Sequence, residues 1–544
     1  MKIKFKEMDI TYESKIIACR QSQSIGSKVP CFQPAKANDS FVSVFVRGRL
    51  QHKAIVMLLL CTIFFASANA QVGKLYIGTA TADISPKLPI ALGGQFELRI
   101  AHQAATPFSA NVVALETRNG NQSVDQAIMV SCDLEGIPEL LLKVLRDEVH
   151  RQMPDFDVKK IFLNAIHTHT GPVLLSADET PMWGYIIPKE GVQQVDEYRT
   201  FFVQRVAAAI VQAWKGRLPG SMTWGLSSAV IANNRRTIYA DGSAKMYGNT
   251  NSPLFRGMEG IEDHDVNILF FWNQAKKLIA VNIEVPCPAQ EVENDTILNA
   301  DYWHPVRVGL RKRFGPDLCV LGWIGAGGDQ SPHLMYRKAA DDRMRKLRNL
   351  NRLDEIARRV VRAVDEAYDA VKDDRHDNVV LIHKVETLRL PFRLITDAEC
   401  AEAKAISDEA RAQIAANPKA ADLLFAKMKW YGNIVTRFEK QKTDPRSKHE
   451  MEIHVLRIGD IALCTYGIEV FTDYGIQLQA RSKALQTFIV EIAGPDDYYL
   501  PTEKAVKAGS YSAIAESNIV GPDSGQILVE RTIELINSMW PEVK

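Results

Sequence analysis

The sequence predicts a mixed α/β fold, with β-sheets flanked by helices in a single large catalytic domain that carries a helical insertion. Three observations point there. Runs of strand length, apolar or alternating, recur between residues 74 and 492. Amphipathic segments of helix length stand between many of them. No internal repeat, low-complexity tract or linker divides the chain after residue 70.

In order, residues 74–84, 110–116 and 125–131 read as strands. Residues 138–153 place Leu140, Leu141, Val144, Leu145 and Val149 on one face of a helix. A strand over 160–166 follows, then a helix over 197–214, strands over 222–231, 266–272 and 278–285, and a helix over 301–314 that leads to a strand over 319–324. The charged segment 341–371 is expected to be helical. Residues 397–441 read as two polar helices broken at Pro418, an arm or cover within an insertion over 395–447. Strands over 452–458, 461–466 and 487–492 and a helix over 526–539 close the chain.

Residues 1–70 form a leader, with a signal peptide over 53–70. Arg47, Arg49 and Lys53 precede the apolar run 54–65, and Ala68-Asn69-Ala70 supplies the cleavage pattern, so an exported protein starting near Gln71 is expected, periplasmic or secreted. The run is too short to span a bilayer, and no transmembrane segment is expected once it is removed. The fifty residues before it read as a start codon placed too early. Cys132, Cys287, Cys319, Cys400 and Cys464 then remain; five is odd, so at least one thiol stays unpaired and most read as packing residues. A formal net charge of +1 without basic clustering argues against a nucleic-acid partner and for a small-molecule or lipid substrate.

Two stretches carry chemistry. His167-Thr168-His169-Thr170-Gly171-Pro172 follows an apolar run; in an extended strand both imidazoles would share a face, a metal or acid-base geometry. Gly325-Ala326-Gly327-Gly328-Asp329-Gln330-Ser331-Pro332 follows another, and consecutive glycines let the backbone approach a ligand with Asp329 and Ser331 at the tip. The lysine of a phosphate-binding loop is absent.

These two segments and Ile77-Gly78-Thr79-Ala80-Thr81-Ala82-Asp83-Ile84-Ser85-Pro86 together resemble, in the same order, the catalytic domain of the neutral/alkaline non-lysosomal ceramidases, over residues 74–540. The resemblance implies a zinc amidase that cleaves the N-acyl bond of ceramide. It implies that His167 is a zinc ligand, His169 a catalytic histidine and Ser331 a catalytic serine. It also makes Glu469 and Tyr499 ligands, turns Tyr511 toward the developing oxyanion and lets Arg235 touch substrate. There are three departures. Cys287-Pro288 stands where the family has His-Pro, so Cys287 becomes a thiolate ligand, with His304 in Trp303-His304-Pro305 as the rival. Val173 and Leu174 replace glycines. The chain ends where the family continues into an immunoglobulin-like domain, so a catalytic domain without that appendage is expected.

In chemical terms, zinc held by His167, Cys287, Glu469 and a displaceable Tyr499 polarises an acyl carbonyl. His169 then shuttles a proton, and Tyr511 with the glycine-loop amides receives the oxyanion. Ser331 is expected to position substrate rather than attack it, and Asp329 to orient the loop or His169. Two other functions fit the same residues: an exported deacylase or esterase acting on acylated carbohydrate or another small molecule, and a non-catalytic exported binding protein of the same fold. Retention of the tyrosine pair and the glycine loop favours an enzyme.

Overall fold

Twelve strands join one mixed sheet: β1 (Val72–Asp83), β2 (Ser109–Asn119), β3 (Gln122–Cys132), β4 (Ile161–Ala165), β5 (Leu218–Ser228), β6 (Asp265–Asn273), β7 (Leu278–Val285), β8 (Cys319–Ile324), β9 (Asn378–Pro391), β10 (Lys448–Ile458), β11 (Ile461–Thr465) and β12 (Gln486–Val490). The computed structural model describes residues 71–180, 183–495 and 498–540. The expected signal peptide, its cleavage site and Cys19, Cys31 and Cys61 lie outside the described residues. Strand β1 is the junction, pairing with β2 along residues 74–83, with β5 at Tyr76 and Ile77, and with β9 at residues 72–74. One branch runs β4-β3-β2-β1-β5-β6-β7-β8 and the other β9-β10-β11-β12.

Alternation along the strands separates three cores, because successive side chains point to opposite faces. On β6, Ile268 and Phe270 pack under helices α1 (Glu139–Gln152), α2 (Val195–Lys215), α3 (Trp303–Phe314) and α5 (Arg352–Val371), the short α4 (Lys338–Leu347) preceding the last. Leu269 and Phe271 of the same strand face the middle core, where they meet Leu456, Leu463 and Phe488 of the other branch. Val455 and Cys464 point outward from that branch to α8 (Thr472–Arg481) and α10 (Asp523–Asn537). The result is helix, sheet, sheet, helix in layers.

Three adjacent pairs are parallel, β3 with β4, β7 with β8, and β11 with β12. A parallel pair cannot close through a tight turn, and each of these is joined by a helical crossover, α1, α3 and α8 respectively. The segments that leave β4, β7, β8, β11 and β12 therefore emerge at carboxyl ends, where α/β sheets build their sites. Bridges Asn164↔Ala493 and Ile324↔Glu491 draw the ends of β4 and β8 to the segment after β12.

The expected elements are largely present; the helices Thr472–Arg481 and Glu503–Ala508 are additions, and two further differences have a physical reason. The charged segment 341–371 breaks at Asn349, which takes a left-handed φ of 53°, and Asn351 caps α5 by accepting the Asp354 amide at 2.8 Å. Strand β9 was not expected; His383, Lys384 and Glu386 interrupt its apolar run, and antiparallel pairing with β10 along residues 381–391 supplies what the pattern lacks. The insertion is a hairpin of α6 (Asp397–Ala416) and α7 (Ala421–Thr443), with Pro418 in the turn and a capping box from Thr396 and Glu399. All five described cysteines are free and buried.

One buried ion pair ties the two sides of the first core. Arg307 of α3 donates to both oxygens of Asp133, at 2.6 and 2.8 Å, and Asp133 also accepts the Ser109 amide at 2.8 Å. Their side chains are 3% and 0% exposed. Arg307→Met leaves that carboxylate buried and uncompensated, so a loss of about 3–5 kcal/mol is expected, read as a lowered urea midpoint at unchanged slope.

Candidate active site

The two histidines meet, but not as a strand would bring them together. Strand β4 ends at Ala165, and His167 lies beyond it with a left-handed φ of 63°. A turn then folds His169 back, so that the two Nε2 atoms are 3.2 Å apart with the rings at 75°. A non-glycine residue held left-handed is a strained conformation of the kind functional sites retain. Gly94, with φ 87°, lies against His169; a Cβ there would fall 2.5 Å from the imidazole Cγ, so only glycine fits.

The proton on His167 can be placed. Its Nδ1 is 2.6 Å from the Glu135 carbonyl, which can only accept, so Nδ1 donates and Nε2 offers its lone pair. That Nε2 is 3.8 Å from Oε1 of Glu469. Glu469 lies opposite Tyr499 in a short parallel pairing, and the Tyr499 phenol hydrogen-bonds its carboxyl. Burial, opposed by Arg235 and Tyr499, lifts the Glu469 carboxyl to about 7. The rings of Tyr499 and Tyr511 are 5.7 Å apart, and burial holds both phenols above their ordinary range. His169 is held well below the ordinary imidazole range by burial, then by His167, Arg99 and Arg235. A cavity of about 170 Å³ is lined by His167, His169, Glu469, Tyr499 and Tyr511 together with the apolar Val173, Leu174, Trp183 and Tyr185.

The remaining expected residues stand behind this wall. Arg235 is buried, donating from Nη2 to the Gly328 carbonyl at 2.9 Å and lying 3.8 Å from Glu469 Oε2. Asp329 holds the loop: it accepts the Thr472 amide at 3.0 Å and hydroxyl at 2.7 Å, and the Asn234 side-chain amide at 2.7 Å. Ser331 Oγ is 3.0 Å from the Tyr247 hydroxyl and accepts the His333 amide at 3.1 Å. Two of the glycine-loop amides are committed to backbone bonds, Gly325 to Val285 and Gly328 to Val470, each at 2.9 Å. The loop's glycines serve close packing instead, since a Cβ on Gly328 would fall 2.6 Å from the Glu469 carbonyl oxygen.

Cys287 is not brought to the cavity. Its thiol lies in the first core, 3.8 Å from the Ile231 carbonyl and 3.7 Å from that of Pro288, and burial pushes it well above the ordinary thiol range. His304 is half-buried in the first turn of α3, beside Arg307. Three residues past Cys287, Gln290 does reach the site, its Nε2 2.9 Å from His169 Nε2. Arg99, Glu293 and His333, unmarked by any motif, belong to it as well. Arg99 donates to the carbonyls of Glu293 at 2.6 Å, Asp295 at 2.9 Å, Gly93 at 2.5 Å and His169 at 2.6 Å, clamping three segments together.

Among the described residues no group of three or more His, Cys, Asp or Glu is poised to hold a metal. An ion here therefore needs the Tyr499 phenol beside the His167 lone pair and the Glu469 carboxylate. That mixed N/O set suits zinc, and the carbonyl bond on Nδ1 orients His167 as ligating histidines are oriented.

No family model matches the sequence, and no curated protein matches it. Solved structures do match in three dimensions. The crystal structure of neutral ceramidase from Pseudomonas aeruginosa has a TM-score of 0.59 and 15% identity, covering 86% of this chain and 76% of that one. The chain has the neutral ceramidase fold. A structure described as ceramidase complexed with C2 gives the same TM-score at 13% identity, over 86% and 75% of the two chains. The ceramidase-like fold accommodates the α6–α7 hairpin over the site: Trp430 of α7 is 5.9 Å from the Tyr511 ring and 5.1 Å from Phe96, which packs on Trp183.

Proposed function

We propose that the chain is an exported, zinc-dependent hydrolase of an acyl amide bond, ceramidase-like, taking N-acylsphingosine or a related N-acyl compound. The observation that carries this reading is the convergence of His167, His169, Glu469, Tyr499 and Tyr511 on one cavity at the carboxyl ends of parallel strands. Zinc, held by His167, Glu469 and Tyr499, would polarise the acyl carbonyl and acidify a water. His169 removes a proton from the attacking water and returns it to the departing amine. Tyr511 donates its hydroxyl to the oxygen on which charge develops. Ser331, fully buried and bonded to Tyr247, keeps the polar wall in place. Val173, Leu174 and Trp183 receive the apolar acyl group and exclude water from it.

The same wall sets an expectation about chain length. With Val173 and Leu174 lining a cavity of about 170 Å³, and Trp430 packed on Tyr511 beside it, a short or soluble N-acyl compound is expected to be hydrolysed with a higher kcat/KM than long-chain ceramide. Fatty-acid release from matched short- and long-chain substrates checks it. Equal turnover of the long chain would remove the restriction; no release from any acyl substrate by zinc-loaded protein would favour a binding protein of the same fold.

A further inference from the structure

We infer that Glu293 and His333 are positioning residues for His169: the Glu293 carboxylate accepts from Nδ1–H of His169, and His333 holds Glu293 from the far side. The inference rests on the proposed function in assigning His169 the proton transfer and the His167 lone pair to zinc.

The hydrogen-bond donors fix the tautomer. Arg235 can only donate, and its Nη1 lies 3.4 Å from Oε1 of Gln290, so the amide oxygen faces Arg235 and the amide nitrogen faces His169. That nitrogen is 2.9 Å from His169 Nε2. An N–H cannot point at a second N–H, and the lone pair of His167 Nε2, 3.2 Å away, is the one that zinc would occupy in the proposed site, so His169 Nε2 accepts from Gln290 and the imidazole proton resides on Nδ1. His169 Nδ1 is buried without a hydrogen-bond partner, and a carboxylate oxygen, Oε2 of Glu293, lies 3.7 Å away. The separation exceeds a formed hydrogen bond, as catalytic contacts often do before substrate tightens them.

Glu293 is held for this task from two directions. Its other oxygen, Oε1, accepts from His333 Nε2 at 2.9 Å. Its backbone carbonyl is bound by the guanidinium of Arg99, which also binds the carbonyl of His169, so one rigid group spaces the two backbones. His333 is fixed in turn: its amide donates to Ser331 Oγ, its ring stands edge-on to Tyr247 at 5.5 Å, and its Nδ1 faces Glu291 at 3.9 Å. Glu291 is itself anchored by Arg352 at 3.1 Å. Glu293 and His333 line a separate groove, which the cavity wall at His169 divides from the reaction site. The arrangement gives Ser331 a role that needs no nucleophile, since its hydroxyl sets the main chain that carries His333.

Two measurements on the full chain test this. The ¹⁵N shifts of the His169 ring, assigned by comparison with His169→Asn, read the tautomer whether or not the protein hydrolyses anything. The wild type is expected to show Nδ1–H, and Glu293→Gln a mixture; an Nε2–H tautomer in the wild type overturns the inference. In steady-state kinetics on a short-chain N-acyl amide, Glu293→Gln is expected to lower kcat about 10–100-fold with KM and zinc content unchanged. His333→Leu should follow it, whereas His333→Gln, which keeps an N–H donor, should stay within a few-fold of wild type. Wild-type kcat in Glu293→Gln, or equal losses in both His333 variants, would likewise overturn it. A wild type without hydrolysis would sink the proposed function and leave the tautomer result to decide this one.

Discussion

His169→Ala is expected to lower kcat for acyl-amide hydrolysis by about 10²–10⁴-fold while metal content stays at the wild-type level. The separation of the two readouts follows from the geometry. In the proposed site His167, Glu469 and Tyr499 would hold the zinc, and His169 stands beside them, tied through Nε2 to Gln290 and through its carbonyl to Arg99. Removing the imidazole deletes a proton carrier without deleting a ligand. Zinc analysis and single-turnover kinetics on the same preparation check it. Loss of zinc in step with activity would show that His169 ligates, and retention of full activity would show that it carries no proton.

Glu469→Gln should act at the other end, lowering zinc affinity by more than about 100-fold and activity with it. The neutral amide keeps the shape and a bond to Tyr499, but it removes the carboxylate placed beside both the His167 Nε2 and the phenol. It also leaves Arg235 without its nearest counter-charge, at 3.8 Å. Competition titration against a chromophoric chelator gives the affinity. Cys287→Ser is the internal contrast: its thiol points at backbone carbonyls within the core, so occupancy is expected to be unchanged. A fall in occupancy with Cys287→Ser and none with Glu469→Gln would reverse the assignment of ligands.

The sequence was most legible where function is written locally. The His167–His169 pair and the glycine loop are short motifs, and two of the three parallel pairs, β3 with β4 and β7 with β8, follow from strand–helix–strand patterns. What was not legible depends on distant segments meeting. Cys287 was expected to ligate because Cys287-Pro288 stands where the ceramidases have His-Pro, yet its amide turns back onto the Val285 carbonyl at 2.7 Å and the thiol lies in the core, leaving Gln290 to reach the site. Arg99 meets Glu293 across 194 residues, and no local pattern distinguishes that arginine from others. The His167–His169 proximity was expected for a reason that does not hold, since a left-handed turn and not a shared strand face produces it. Of the glycine-loop amides expected to share the oxyanion with Tyr511, those of Gly325 and Gly328 are instead bonded to the Val285 and Val470 carbonyls.

The most direct test of the metal-dependent hydrolase is a reversal experiment on one sample of the purified chain, with metal content and release of fatty acid from a short-chain N-acylsphingosine measured together. Roughly one zinc per chain, activity lost on chelation and restored by adding zinc back, is the predicted result. Hydrolysis that continues at full rate in the metal-stripped protein would contradict it.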